Sequence, residues 1–63
     1  MNNLDLALHK AAYFGDAEEV RRLIRAGANV NAKSNGGTTA LEQATMFGDS
    51  DVVGVLVAAG ARR

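Results

Sequence analysis

The sequence contains the same passage twice, at a fixed spacing of 33 residues. The first copy reads LHKAAYFGDAEEVRRLIRAGA from residue 8, and the second reads LEQATMFGDSDVVGVLVAAGA from residue 41. Identity at a fixed period marks a repeat architecture, in which each copy forms one structural unit that stacks on its neighbour. We therefore expect a single domain over residues 1–63, made of a first unit at 1–33 and a second unit at 34–63.

Each copy carries the signals of two helices joined by a turn. Within residues 4–12, Leu4, Leu8, Ala11 and Ala12 are apolar and lie at helical spacing. Gly15 stands where the first helix must end in a left-handed residue. Asp16 follows as the N-cap of the second helix, and Glu19, three positions later, predicts a capping box. The second unit has the same glycine and aspartate at residues 48–49, which predicts the same helix–turn–helix arrangement.

The segment between the two units is rich in residues that favour a chain reversal. It reads NVNAKSNGGTTA, and its Asn35-Gly36-Gly37 stretch tolerates positive φ angles and so favours a tight turn. We expect a short β-hairpin here, which we call the finger (residues 33–38). The predicted fold is therefore an all-α helical repeat, with two helix–turn–helix units joined by a β-hairpin loop.

Two motifs carry a family resemblance. Residues 37–44 read GTTALEQA, and residues 15–32 contain the pattern GD...V..L...GA.VNA. The first is similar to the G-x-T-P-L-H-x-A motif of ankyrin repeats and the second to their second helix and loop. The chain thus resembles the ankyrin family over nearly its whole length, as two units. The resemblance implies an α-solenoid that acts as a non-catalytic protein-binding scaffold.

The chain departs from the ankyrin pattern at three positions. Ala7 and Ala40 stand where the family usually has proline, and Glu42 stands where it usually has histidine. Only His9 keeps this histidine, whose hydrogen bond braces a turn in the family. The resemblance therefore implies such a hydrogen bond for the first unit only.

The resemblance also implies a partner-facing surface. In the family, the positions just before the first-helix glycine vary and line the concave surface, together with the hairpin tips. Here these positions hold Tyr13, Phe14, Met46 and Phe47. We predict partner contacts from Tyr13, Met46 and Phe47 and, on the finger, from Lys33, Asn35, Gly36 and Thr38. Further variable positions are Asn2, Asn3 and Asp5. In the alternative interpretation, Phe14 and Phe47 cover the ends of their helices and have a framework role.

The two outer sides of the predicted stack differ in polarity. The family pattern has apolar residues at the positions of Val52 and Val55, whereas the first unit has Glu19 and Arg22 there, which predicts a polar cap. The outward side of the second unit carries little charge, and we predict self-association through Val57, Ala58 and Ala59. Several explanations stay open. The chain is a self-assembling minimal or engineered repeat protein that serves as a structural unit and forms a homodimer through its uncapped second unit, or it is a truncated or engineered piece of a longer array, or it is a weakly stable monomer.

The composition argues against other classes of function. Seven basic residues balance seven acidic ones, so the strong positive field that nucleic-acid binding requires is missing, and the arginines at 21–25 indicate a solvated helix face beside Glu18 and Glu19. The chain has no cysteine and one histidine, and its Ser and Thr residues have no base at a recognisable spacing. We therefore expect no catalysis, metal or cofactor. With no signal peptide and no long apolar run, we expect a soluble, cytoplasmic protein.

Overall fold

Four α-helices form where the two copies of the repeat predict them. The computed structural model describes residues 2–61, and its helices are α1 (Asn3–Phe14), α2 (Ala17–Arg25), α3 (Ala40–Phe47) and α4 (Ser50–Ala58). α1 and α2 form a first helix pair, and α3 and α4 form a second. Because α1 packs on α3 and α2 on α4, the molecule has a front layer of α1 and α3 and a back layer of α2 and α4. The predicted all-α helical repeat is confirmed.

A glycine ends the first helix of each pair in the predicted left-handed conformation. Gly15 has a φ of 73° and Gly48 a φ of 69°. The amide that follows each glycine donates to the carbonyl five residues earlier, at 2.9 Å and 3.0 Å respectively. This is the hydrogen bond of a Schellman-type helix end. It turns the chain sharply enough for the second helix of the pair to fold back onto the first.

The N-caps of the helices agree with the sequence in position, but one predicted capping box is wrong. Asp16 Oδ1 accepts a hydrogen bond from Glu19 N (3.1 Å), but both carboxylate oxygens of Glu19 accept from the Arg22 guanidinium (2.7 and 2.6 Å). The amide of Asp16 already donates to a carbonyl near the end of α1, so it offers Glu19 no free donor. The reciprocal box forms instead at α3, between Thr39 and Glu42.

The core lies between the two layers and is built from equivalent positions of the two copies. Its largest fully buried side chains are Leu8, Val20, Leu41, Val52 and Leu56. Burial of each such side chain contributes about 1.5–3 kcal/mol relative to its exposure to water. Buried alanines at residues 11, 12 and 44 separate the leucines, and their small size allows α1 and α3 to approach closely. The apolar periodicity of the sequence therefore marks the core correctly.

The predicted β-hairpin of the finger is not confirmed. Lys33 and Thr39 form one isolated antiparallel bridge, and residues 2–61 contain no strand. The chain already reverses within the finger, where Ser34 N donates to Thr38 O (2.9 Å) and Gly37 N donates to Ser34 O (2.8 Å). Pairing cannot extend further on the other side, because Thr39 is the N-cap of α3. The finger is therefore a tight turn closed by a single bridge.

Two buried side chains of α1 hold the loop that leads to the finger. Asp5, with 7% of its surface exposed, accepts a hydrogen bond from Asn29 N at 2.7 Å. His9, one turn further along, donates from Nε2 to Ala32 O at 2.9 Å. The bracing role that the ankyrin resemblance implies for His9 agrees with this contact. The expectation that Asp5 is a variable surface residue is wrong, because its carboxylate satisfies a backbone N–H of the loop.

Asp5→Ala should destabilise the protein more than the removal of an exposed carboxylate. Loss of the Asp5 acceptor leaves a partly buried N–H of Asn29 without its partner, which costs about 1–3 kcal/mol. Asp51→Ala, in the first turn of α4 and exposed, is the matched control and should cost less than about 1 kcal/mol. Urea unfolding followed by circular dichroism measures both. Equal losses in the two variants would contradict a supporting role for Asp5.

Candidate functional site

An open groove runs along the front layer between α1 and α3, from the finger toward the C-terminal ends of the two helices. Its volume is about 320 Å³. The residues that line it are His9, Lys10, Tyr13, Ser34, Thr38, Gln43 and Met46. We call it the front groove. It brings together three of the predicted partner-contact residues, Tyr13, Thr38 and Met46, with Lys10 and Gln43, which the sequence analysis did not single out.

Three aromatic rings form a cluster where α1 and α3 end. The Tyr13 ring meets the Phe14 ring edge-on, with centroids 5.3 Å apart, and the Phe47 ring in the same way at 5.2 Å. All three rings are well exposed: 54% of Tyr13, 78% of Phe14 and 55% of Phe47. Phe14 is the most exposed, which disagrees with a framework role in which it would cover its helix end. The predicted residues Tyr13 and Phe47 therefore belong to one continuous aromatic surface.

Met46 connects the front groove to a second surface. Its side chain is 77% exposed and lines both the front groove and a larger open groove at the outer end of the second helix pair. Met46 is the equivalent of Tyr13 in the 33-residue spacing. An unbranched, polarisable side chain at such a place can adapt to differently shaped partners.

The finger presents its predicted contact residues unequally. Lys33, Asn35 and Gly36 are exposed, whereas Thr38 is half-buried. Thr38 N donates to Ser34 Oγ at 3.3 Å, so part of Thr38 stabilises the turn. The exposed tip of the finger therefore consists of Asn35, Gly36 and Gly37, with Lys33 beside the base.

The outer end of the second helix pair exposes positions that are buried in the first pair. Its groove has a volume of about 600 Å³ and is lined by Thr38, Leu41, Glu42, Thr45, Met46, Gly48, Ser50 and Val53. Ala12 and Val20 are fully buried in the first pair, while their equivalents, Thr45 and Val53, are exposed and half-buried. Val57 is 46% exposed. This surface is the counterpart of the one that the first pair buries against the second.

Ala58 and Ala59 lie apart from this outer groove. Both line a groove on the back layer, between α2 and α4, together with Arg21, Ile24 and Arg25. The three residues predicted for self-association thus do not line one common groove. The two alanines line the back groove, whereas Val57 lines neither the outer groove nor the back groove. The helical spacing explains the difference, because consecutive residues of a helix point about 100° apart.

An ion pair occupies the predicted polar cap on α2. Arg22 Nη2 lies 2.6 Å from Glu19 Oε2, and no other ion pair occurs within residues 2–61. The hydrogen bond from Arg22 lowers the pKa of the Glu19 carboxyl, and the same contact raises the pKa of Arg22. Their equivalents in the second pair are Val52, which is fully buried, and Val55, which is half-buried. The first pair therefore carries mutually satisfied charges at positions that are apolar in the second.

The described part of the chain offers few groups for chemistry. Within residues 2–61, no three His, Cys, Asp or Glu side chains lie close enough together to hold a metal ion. No helix in the same range is long and apolar enough to span a membrane. The carboxylates of Asp16 and Asp49 accept backbone hydrogen bonds as N-caps of α2 and α4.

The two stacked helix pairs, the 33-residue spacing and the intervening finger define the class of helical-repeat proteins. The family model described as ankyrin repeats (3 copies) matches residues 1–62. The chain belongs to the ankyrin-repeat family, whose members generally mediate protein–protein interaction and are typically non-catalytic scaffolds. No curated protein matches the chain.

The contact between Tyr13 and Phe47 should contribute a measurable coupling energy across the two helix pairs. Edge-to-face ring pairs contribute about 0.5–1.5 kcal/mol beyond their area burial. A double-mutant cycle of Tyr13→Ala and Phe47→Ala, measured by urea unfolding, should give a coupling in this range. The same cycle with Tyr13→Ala and Val57→Ala is the control and should give a coupling near zero. Equal couplings in both cycles would contradict a specific ring contact.

Proposed function

We propose that this chain is a non-catalytic protein-binding module that contacts its partner through the front layer. The proposed contact residues are Tyr13, Met46 and Phe47, and Lys33, Asn35, Gly36 and Thr38 of the finger. One observation carries the proposal: four large side chains, the three rings and Met46, are more than half exposed at the same ends of α1 and α3. Exposed apolar patches of this kind mark interaction sites, and aromatic residues dominate interface energies.

The finger supports the proposal by its position. Ser34 and Thr38 line the same groove as Tyr13 and Met46, so a segment bound in the front groove passes beside the finger. Asn35 and Gly36 are exposed at the tip of the finger and carry polar groups without a bulky apolar side chain. A partner can therefore combine apolar contacts at the ring cluster with polar contacts at the finger.

The proposal includes several exclusions that rest on the sequence. We propose that the module has no enzymatic activity and needs no cofactor or metal, and that nucleic acids, membranes and small-molecule substrates are not its partners. The balanced charge of seven basic and seven acidic residues supports the exclusion of nucleic acids. We also propose a cytoplasmic location, which the cysteine-free composition supports.

Binders selected against the native protein should depend on the ring cluster. A random-peptide display library supplies the binders, and calorimetry measures their affinity for variants. Tyr13→Ala should weaken binding roughly 30-fold, the equivalent of about 2 kcal/mol for a central aromatic contact, and Met46→Ala should weaken it by a smaller factor. Arg25→Ala on the back layer is the control and should leave binding unchanged. Binders that lose affinity only with Arg25→Ala would refute the front layer as the binding surface.

Self-association is the second candidate function, and the outer end of the second pair favours it. Val53 is half-buried and Val57 is 46% exposed there, while their equivalents in the first pair, Val20 and Ile24, are fully buried and half-buried. A second copy could cover the same surface on its own outer end, which gives a two-fold symmetric homodimer. Val57 is the proposed central contact. Ala58 and Ala59 join it if the contact extends onto the back layer.

The ion pair on α2 favours this symmetric arrangement over a head-to-tail one. In a head-to-tail contact, the outer end of one copy would meet the side of α2 that carries Glu19 and Arg22. Burial of these two charges would cost more than it returns unless new partners satisfied them. A symmetric contact between two outer ends leaves the ion pair in water.

Sedimentation equilibrium over a concentration series tests the dimer. The proposal expects a dimer whose helicity and melting temperature rise with concentration, because folding is then linked to assembly. Val57→Glu should weaken the dimer by at least about tenfold, since it buries an unpaired charge. Leu6→Glu, at a residue of α1 that is also 46% exposed, is the matched control in the first helix pair. A folded monomer at micromolar concentration would exclude the dimer.

A further inference from the structure

The front groove has an uneven distribution of charge. Lys10 lines the groove, and Lys33 stands at the base of the finger; both are exposed. The only ion pair within residues 2–61 joins Glu19 and Arg22 on α2, so neither lysine is neutralised by a carboxylate of the described chain. No Asp or Glu is among the residues that line the groove. The groove is therefore cationic although the whole chain carries no formal net charge.

The carboxylates around the front groove have other hydrogen-bond partners. Asp16 and Glu19 share a second groove with Lys10, and they accept from Glu19 N and from Arg22, respectively. Asp5 is buried and accepts from Asn29 N. Glu42 Oε1 accepts from Thr39 N at 3.1 Å, and Glu42 lines the outer groove. His9 is the other ionisable side chain of the front groove besides Lys10 and Tyr13, and its Nε2 is bound to Ala32 O. Lys10 is thus the charged group that the groove can offer to a ligand.

The end of the front groove near the C-terminal ends of α1 and α3 is apolar. Tyr13 and Met46 line it there, and the rings of Phe14 and Phe47 extend the same surface. Lys10 precedes Tyr13 by three residues on α1, which corresponds to a rise of about 4.5 Å along the helix. A cation and an aromatic surface therefore lie within the reach of neighbouring side chains of one extended peptide.

The size of the groove limits what it can hold. Its volume of about 320 Å³ lies at the lower end of the roughly 300–1,000 Å³ that ligand pockets occupy. Such a groove accepts one or two side chains of a peptide. It does not enclose a folded domain.

We infer that the front groove recognises an acidic peptide segment in which an aromatic or long aliphatic side chain stands next to carboxylates. The apolar side chain contacts Tyr13 and Met46, and the carboxylates pair with Lys10 and, from the finger, with Lys33. This inference rests on the proposed function, because it names the chemistry of the partner that the front layer binds. Opposite charges at such an edge act mainly on specificity and on the rate of association.

The test has two measurements on the native chain. A random-peptide display library, selected at low salt, should yield peptides with Asp or Glu within a few positions of Phe, Trp or Leu. One selected peptide is then compared with its Asn/Gln version by calorimetry. The acidic peptide should bind roughly threefold to tenfold more tightly, which is the range expected for one or two exposed ion pairs. The difference should shrink at high salt because the lysines are exposed.

Charge reversal locates the contact. Lys10→Glu should weaken the acidic peptide by about tenfold and leave its Asn/Gln version nearly unaffected. Arg25→Glu makes the same change of charge on the back layer and should alter neither peptide by more than about twofold. Oligo(dT) serves as a polyanion without apolar side chains and should bind at least tenfold more weakly than the acidic peptide.

The outcomes separate this inference from the proposed function. Basic or uncharged peptides that still depend on Tyr13 would overturn the inference and leave the front layer as the binding surface. A library that yields no binder dependent on Tyr13 would overturn both. Binding of oligo(dT) as tight as that of the peptide would show that the groove attracts anions of any kind, which also overturns the inference.

Discussion

The front layer depends on two hydrogen bonds from α1 to the loop before the finger. Asp5 accepts from Asn29 N, which lies 24 residues away in the sequence. His9 donates to Ala32 O, which lies 23 residues away. They fix the path of the chain just before the finger. Because the finger leads directly into the N-cap of α3, the same bonds set where α3 begins beside α1. The groove between α1 and α3 follows from this placement.

The two copies of the repeat act as an internal comparison for the effect of a neighbour. His9 and Glu42 occupy equivalent positions, yet His9 is buried and binds the loop between the pairs, while Glu42 is exposed and turns back to Thr39 N. A carboxylate cannot donate to a loop carbonyl as the histidine does. Glu42 instead completes a capping box that needs no following loop. Glu42, which departs from the ankyrin motif, is thus satisfied by Thr39 within its own helix end.

Periodicity and capping signals predict the helices, their ends and most of the core, because these features depend on residues within one or two turns of each other. Leu8, Leu41 and the two helix-ending glycines are examples.

The burial of Asp5 could not be predicted from local signals, because its hydrogen-bond partner is remote in the sequence. The only signal for it is that Asp5 precedes His9 by one turn on the same helix face. The predicted capping box of Glu19 is wrong because such a box needs a free N–H at the N-cap residue. The N–H of Asp16 already donates to a carbonyl of α1. In the candidate site, the ankyrin resemblance implied Tyr13 and Met46, whereas the exposure of Phe14 and the position of Lys10 beside the groove required the packed structure.

The small residues of the core determine how closely the large residues at the surface approach each other. Ala12 and Ala44, both fully buried, bring α1 and α3 close enough for Tyr13 to meet Phe47 at 5.2 Å. A partner of the proposed kind would bind rings that already contact each other, which lowers the entropy cost of ordering them. Met46 and Lys10 are long and exposed and can adjust their conformation to the ligand. A groove that combines paired rings with adjustable neighbours therefore fits the proposed peptide ligand better than a rigid surface, because a peptide gains most of its affinity from one well-placed anchor.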